Sequence, residues 1–386
     1  MIYWDNAATT WPKPSTVRES ACKAVSLYGA NPGRAGHRMA MATAEQVYES
    51  RQAVAKFFML DNPAGVVFTA NCTAALNVVI SSFLQEGGRA VTSDLEHNAV
   101  MRPLTAFAPN RFDVVSWCSD EDELVERFRK NIRPDTKLMI CTHASNVFGV
   151  VLPIRKLGEL AHRYGLLFCV DAAQTAGVLP IDMEQDDIDY LCVAAHKGLY
   201  APMGNGILLC REQERLKPLI YGGTGSHSLL LTQPEELPDR LESGTLNTSG
   251  ICGVHAGVEF VNRLGRERIH NYEIRLLQHV YDQLHTHPSL RFYTARPQEG
   301  FNAPVLSLNV NDMPSEQVAS ILDCYGIAVR AGFHCAPCAH RHFGTLERGT
   351  VRLSPSAFST FEQADYICKV FLQIAEKSLH CDKSMI

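Results

Sequence analysis

The sequence predicts an α/β protein: a large layered domain built on a mainly parallel seven-stranded sheet, followed by a smaller C-terminal α+β domain. Three observations predict it. From about residue 65, seven short apolar runs alternate with longer amphipathic stretches. A long helical pattern then breaks the alternation between about residues 249 and 285. Beyond it a second, shorter series of strand-like and helical segments begins.

The elements follow in order. The first 20 residues form an N-terminal segment expected to pack with the small domain or with a partner subunit. Residues 21–255 make the large domain. Its apolar runs are GVVFTA, RAVTSD, DVVSW, KLMICTH, GLLFCVD, DYLCVAA and NGILLC, starting at residues 65, 89, 113, 137, 165, 189 and 205. Their shortness and their Val, Ile and Phe content suit strands buried on both faces. Stretches such as 119–129 and 153–164 have helical character, so the connections cross over the sheet. Residues 256–386 hold the bridging helix and the small domain, with PVLSLNV (304–310), IAVRAG (327–332), TVRLSP (350–355) and a last helix.

Composition narrows the class. The 386 residues are 46% hydrophobic and 20% charged, which is globular rather than disordered. A net charge of −5 leaves no basic footprint for nucleic acid or for an anionic membrane surface. No run of about 18 apolar residues appears, and the opening MIYWDNAATTWPKP has no basic and apolar leader pattern, so a cytoplasmic protein is expected. The 13 cysteines stand singly, several inside apolar runs where a free thiol behaves as a small hydrophobe. Reduced thiols are expected rather than a disulfide framework. Cys381, near the end of the chain, reads as an exposed bystander.

Three segments carry candidate chemistry. Asn71-Cys72-Thr73 follows a strand and opens a helix, where free amides and the helix dipole favour an anion. The plain alternative is an N-cap by Asn71 or Thr73. Asp171 ends an apolar strand, and a buried charge there needs a partner such as a protonated ring nitrogen. Capping of the next helix is the alternative. Lys197, in Ala194-Ala195-His196-Lys197-Gly198, sits at a strand end where a Schiff base with a carbonyl cofactor could form. A snorkelling surface lysine is the alternative. An anion cup, an acid and a lysine in this order suggest a pyridoxal phosphate (PLP) site.

At this point the chain resembles the class V aminotransferase group of fold type I PLP enzymes, and within it the cysteine desulfurase and selenocysteine lyase branch. The resemblance opens with Tyr3-Trp4-Asp5-Asn6-Ala7-Ala8-Thr9-Thr10 and continues through Asn31-Pro32-Gly33-Arg34-Ala35-Gly36-His37, Glu96-His97-Asn98 and Ser145-Asn146-Val147-Phe148-Gly149. Asp171-Ala172-Ala173-Gln174, Ala195-His196-Lys197 and Glu242-Ser243-Gly244-Thr245-Leu246-Asn247-Thr248 follow. It closes with Arg330-Ala331-Gly332-Phe333-His334-Cys335-Ala336 and Val351-Arg352-Leu353-Ser354.

The resemblance implies roles. Lys197 would hold PLP, Asp171 would pair with the pyridine nitrogen, and His97 would stack on the ring. Asn146 and Gln174 would contact the ring substituents. The phosphate would meet Asn71, Cys72, Thr73 and His196, with Thr245 reaching it from a neighbouring subunit, which implies a homodimer with shared active sites. Arg352, with Asn146, would bind the substrate α-carboxylate, a task suited to a guanidinium. Two departures stand out: Ala194 replaces a hydroxyl residue, and Cys72 replaces a threonine found in some members.

Fold does not settle the reaction among PLP enzymes. The discriminating residue is Cys335, which resembles the family's sulfur-accepting nucleophile. His334, Arg330, His340 and Arg341 surround it in sequence, and positive charge lowers a thiol pKa. The implied reaction converts L-cysteine to L-alanine with sulfur carried on Cys335 as a persulfide, to be passed to an acceptor protein or thiol. Alternatives are a selenocysteine lyase, a class V lyase or epimerase with no catalytic thiol, and a silent scaffold. A dinucleotide fold is disfavoured because no G-x-G-x-x-G follows an early strand, and Gly222-Gly223-Thr224-Gly225 is a weak glycine loop. Cys335-x-x-Cys338 raises a redox or zinc reading, but no second pair supports a metal. Cys338 is expected to be a neutral substitution, with a resolving thiol as the alternative.

Overall fold

The computed structural model describes residues 1–33, 36–211 and 216–383, with side chains to residue 377. Arg34 and Ala35 of the motif at 31–37, and the side chain of Cys381, lie outside the described residues. The chain divides into two units, one of Met1–Pro12, Ala144–Val151 and Gly265–Ile386, the other of Lys13–His143 and Leu152–Leu264.

Strand β1 (Ile2–Tyr3) belongs to the smaller unit. The larger unit begins with helices α1 (Ser15–Leu27) and α2 (Arg38–Phe57). Its sheet comprises β2 (Val66–Thr69), β3 (Arg89–Ser93), β4 (Phe112–Val115), β5 (Thr136–Thr142), β6 (Leu167–Asp171), β7 (Tyr190–Ala194) and β8 (Gly206–Cys210). All seven apolar runs are therefore strands, in the order β2-β8-β7-β6-β5-β3-β4. Crossovers through α3 (Cys72–Leu84), α4 (Asn98–Phe107), α5 (Glu121–Asn131) and α6 (Ile154–Arg163) connect them.

Neighbours are parallel except at β8, which runs antiparallel to both β7 and β2. The reason is length: only about ten residues separate β7 from β8, too few for a crossover helix. Strands β7 and β8 are buried throughout, β5 and β6 nearly so, and Leu76 and Ile80 of α3 share a core with Leu138, Ile140, Cys192 and Leu208. That is why these runs lack polar alternation.

The helical pattern at 249–285 is two helices, α7 (Thr248–Leu264) and α8 (Arg266–Leu284). Gly265 between them has φ +85°, a conformation that ends a right-handed helix and that glycine adopts without a Cβ clash. In the smaller unit, β9 (Leu290–Phe292), β10 (Leu306–Val310) and β12 (Val351–Leu353) form an antiparallel sheet in the order β12-β10-β9, while β11 (Ile327–Ala328) pairs in parallel with β1. Helices α9 (Ser315–Cys324), α10 (Pro337–His342) and α11 (Phe361–Lys383) complete it. Trp4, Leu306, Leu308, Val351, Leu353 and Phe371 share its core. Alternation along β12 sends Val351 and Leu353 to that core and Arg352 to the opposite face.

Candidate active site

The larger unit gathers one set of candidate residues at the strand ends. Asn71 is the N-cap of α3, its side chain accepting the Ala74 amide at 2.9 Å. The capping alternative is therefore real. The amides of Cys72 and Thr73 have no acceptor among the described residues, at the positive end of a thirteen-residue helix. Gly206 of β8 lets this turn approach: a Cβ there would lie 2.1 Å from the Asn71 carbonyl carbon.

Cys72 does not spend its side chain on that turn. Its thiol is buried and donates to Asp171 Oδ1 at 3.6 Å. Asp171 ends β6 at 3% exposure, and Oδ1 also accepts the Ala173 amide at 2.9 Å. Oδ2 accepts nothing from the described residues. Burial pushes the Asp171 carboxyl up, opposed by the Ala173 amide and the charge of Lys197. A buried acid with one open oxygen calls for a cationic partner.

Lys197 lies in the turn after β7, its amide donating to the Ala194 carbonyl at 3.2 Å. The preceding carbonyl, that of His196, accepts Lys13 Nζ at 2.7 Å. Burial, then the charges of Lys197 and Lys13, lower His196 to about 4. Burial alone lowers Lys13 to about 8. His97 caps α4, its Nδ1 accepting the Ala99 amide at 3.0 Å, so the ring proton resides on Nε2. Beneath it in sequence, Glu96 is fully buried and takes the Thr142 amide at 3.0 and 2.9 Å, joining the end of β3 to β5. Gln174 is half-buried in the turn after Asp171, and Thr245 is exposed.

These residues fit PLP. The amides of 72 and 73 suit a phosphate. The open oxygen of Asp171 suits a protonated pyridine nitrogen, and Lys197 supplies a primary amine for a carbonyl carbon.

The smaller unit gathers a second set. Arg352 is 2% exposed, donating from Nη1 to the Asn146 carbonyl and from Nη2 to Asp5 Oδ1, both at 2.8 Å. Its Nε is buried with no partner among the described residues, as is Asn146 Oδ1. Asn146 Nδ2 donates to the His334 carbonyl at 2.8 Å. Three named residues thus form a bonded line from Arg352 through Asn146 to the residue before Cys335. A buried guanidinium with an unused donor is a place for a carboxylate.

Cys335 is exposed, and it follows His334 in an uncommon backbone: φ is +49° at His334 and +55° at Cys335. Two successive left-handed residues with side chains cost roughly 1–3 kcal/mol each, so the surroundings must enforce them. Gly332 and Gly349 supply part of that enforcement, since a Cβ on Gly349 would fall 2.6 Å from the Gly332 carbonyl. Cys338 is half-buried on α10.

The expected positive charge around the thiol is corrected in part. His334 and His340 are buried and lowered to about 2 and about 4 by desolvation, so both rings are neutral. Arg330 and Arg341 are exposed. Sequence reasoning singled out neither Asp5, Glu96 nor Lys13 for a role. Asp5 and Glu96 lay inside the quoted motifs, and Lys13 lies three residues beyond the first; only the fold shows what each one touches.

Among the described residues no helix is long and apolar enough to cross a membrane. The chain matches the family model for class V aminotransferases over residues 2–367. It is 32% identical to a probable cysteine desulfurase of Synechocystis sp., over 98% of this chain and 91% of the relative. It is 31% identical to one of Methanothermobacter thermautotrophicus, over 97% and 94%. An apo cysteine desulfurase structure from Thermococcus onnurineus superposes with a TM-score of 0.88 at 30% identity, covering 97% of this chain and 95% of the other. An Escherichia coli cysteine desulfurase in an S-sulfonic acid form gives 0.86 at 26% identity, covering 97% and 94%.

Proposed function

Because the chain belongs to the class V aminotransferase family, we propose that it is a PLP-dependent cysteine desulfurase that converts L-cysteine to L-alanine and takes the sulfur onto Cys335 as a persulfide. The observation that carries this reading is Cys335 itself: an exposed thiol at a left-handed pair, bonded through the His334 carbonyl and Asn146 to a buried arginine. A lyase or epimerase with no catalytic thiol has no use for that strained presentation.

PLP, when bound, supplies an electron sink that acidifies the substrate Cα–H and weakens its Cβ–S bond. Lys197 Nζ would hold the cofactor and, when free, would be the base for the Cα proton. Asp171 would keep the ring nitrogen protonated, with the Cys72 thiol donating to the acid. Asn71 caps the helix whose first amides, with His196, would hold the phosphate, and Gln174 would contact the ring. His97 would stack on the ring and, with Nδ1 committed to the Ala99 amide, would offer its Nε2–H. Arg352 Nε binds the α-carboxylate while Asp5 and the Asn146 carbonyl hold its plane.

The Cys335 thiolate then attacks the substrate sulfur. The bond that forms is sulfur–sulfur, the bond that breaks is substrate Cβ–S, and the electron pair stays on carbon, which is protonated to the alanine methyl. The persulfide passes to an acceptor protein or thiol. A cytoplasmic homodimer, with Thr245 completing the partner's phosphate site, belongs to the same reading.

The test is purified protein given L-cysteine and a reductant, with alanine and sulfide quantified. Equimolar products are expected, and Cys335→Ser should keep the PLP absorbance while losing sulfur transfer. Full transfer by that variant overturns the assignment. Alanine from selenocysteine but none from cysteine would make the protein a selenocysteine lyase.

A further inference from the structure

The left-handed pair at His334 and Cys335 is held from within. His340, with no exposed surface, lies beside His334: the rings stack at 5.7 Å with 10° between their planes, and His334 Nδ1 is 3.5 Å from His340 Nε2. The other His340 nitrogen, Nδ1, is 2.7 Å from Thr345 Oγ1. The same hydroxyl reaches the His340 carbonyl at 3.3 Å, and the Thr345 amide donates to that carbonyl at 2.8 Å, so ring and backbone are fixed together. Phe148 and Phe333 meet the His340 ring edge-on at 5.7 and 5.6 Å, closing off rotation. Its amide donates to the Ala336 carbonyl at 3.1 Å, the residue next to Cys335.

We propose that His340, gripped by Thr345, is a positioning residue that holds the left-handed His334–Cys335 turn and so sets how the Cys335 thiol is presented for attack. The inference rests on Cys335 being the sulfur acceptor, but the device is structural and can be read without turnover. A histidine serves here because it bonds at both ends at once while filling an apolar slot between two aromatic rings. Both contacts are to a neutral ring, and in a water-free pocket an uncompensated polar atom is costly, so losing one end loosens the other. The chain from Thr345 runs to His334, whose ring also meets the Arg330 backbone and whose Nε2 is buried with no partner among the described residues.

Thr345→Val is the discriminating variant: nearly the same shape at a 4% exposed position, without the hydroxyl. Thr345→Ser restores the hydroxyl. The first readout is hydrogen exchange in the holoenzyme of the peptide spanning 333–337, whose Ala336 amide donates to the Phe333 carbonyl at 2.9 Å. The second is the division of any rate loss between kcat and KM. The valine variant should lose protection in that peptide and lose kcat, each by about tenfold for one hydrogen bond removed, with KM for cysteine unchanged and serine restoring both. Wild-type protection and kcat in Thr345→Val would overturn the proposal, and so would a rise in KM alone. A protein that makes no alanine from cysteine yet loses protection on Thr345→Val would keep the positioning claim and refute the desulfurase reading.

Discussion

Asp171 is where a single residue carries the most argument. Its carboxyl is buried, pushed up by desolvation, and one oxygen is already shared between an amide and the Cys72 thiol. Asp171→Asn keeps the shape and removes the charge that would face a protonated ring nitrogen. A charge-assisted hydrogen bond is worth about 2 kcal/mol, so PLP should dissociate more than tenfold more readily, measured by the loss of the cofactor's visible absorbance on dilution. Unchanged retention would mean that Asp171 does not face the ring nitrogen. Arg352 tells a complementary story. As a free guanidinium it would be a general anion site; here Asp5 and the Asn146 carbonyl each take one Nη donor, and Nε has no partner among the described residues. Asp171 was legible in the sequence as a charge ending an apolar strand, and Arg352 through the family resemblance. Their restraints were not, because Asp5 and Arg352 are separated by most of the chain and meet where the segment around Asp5 bridges Ser354 beside β12.

At the scale of elements, the strands were read correctly because buried strands leave a short apolar run bounded by polar turns, a signal local enough to survive without tertiary context. β9 was missed: three residues of mixed polarity carry no periodicity, and only pairing with β10 makes Leu290–Phe292 a strand. The break at Gly265 was also missed, since a lone glycine in a helical pattern is usually tolerated and its φ is a fact of the fold. Gly206 shows the element scale controlling the site. β8 passes so close to the start of α3 that any side chain meets the Asn71 backbone. Gly206→Ala should destabilise by about 1–3 kcal/mol through overpacking and weaken PLP retention with it. Thermal melts of the apo and holo forms check this. An alanine variant that melts with the wild type and binds PLP equally well would show that the turn can move aside.

The whole molecule holds several histidines neutral inside it. His143, His270, His334 and His340 are all at most 5% exposed, with burial lowering them to about 3, 4, 2 and 4. The unfolded chain would take up these protons near 6.5 and the folded chain does not. Their stabilisation is therefore present above about 6.5 and lost as pH falls toward 4, at up to about 1.4 kcal/mol per pH unit for each. Glu96, raised to about 8 by burial, works in the opposite sense: its contribution is full below about 4.5 and lost as pH rises to about 8. Four histidines outweigh one acid, so the urea midpoint should drop between about pH 6.5 and 5. A flat midpoint over that span would show that these rings find proton acceptors on protonation. Histidine burial was invisible in the sequence, where the rings near Cys335 read as sources of positive charge.

The central claim is that Cys335 takes the sulfur, and one measurement addresses it most directly: mass spectrometry of the Cys335 peptide after a single turnover with L-cysteine and no acceptor. The account predicts one added sulfur atom on Cys335, matched to the alanine formed. Alanine formed in full with Cys335 unmodified, and at the same rate in Cys335→Ser, would contradict it.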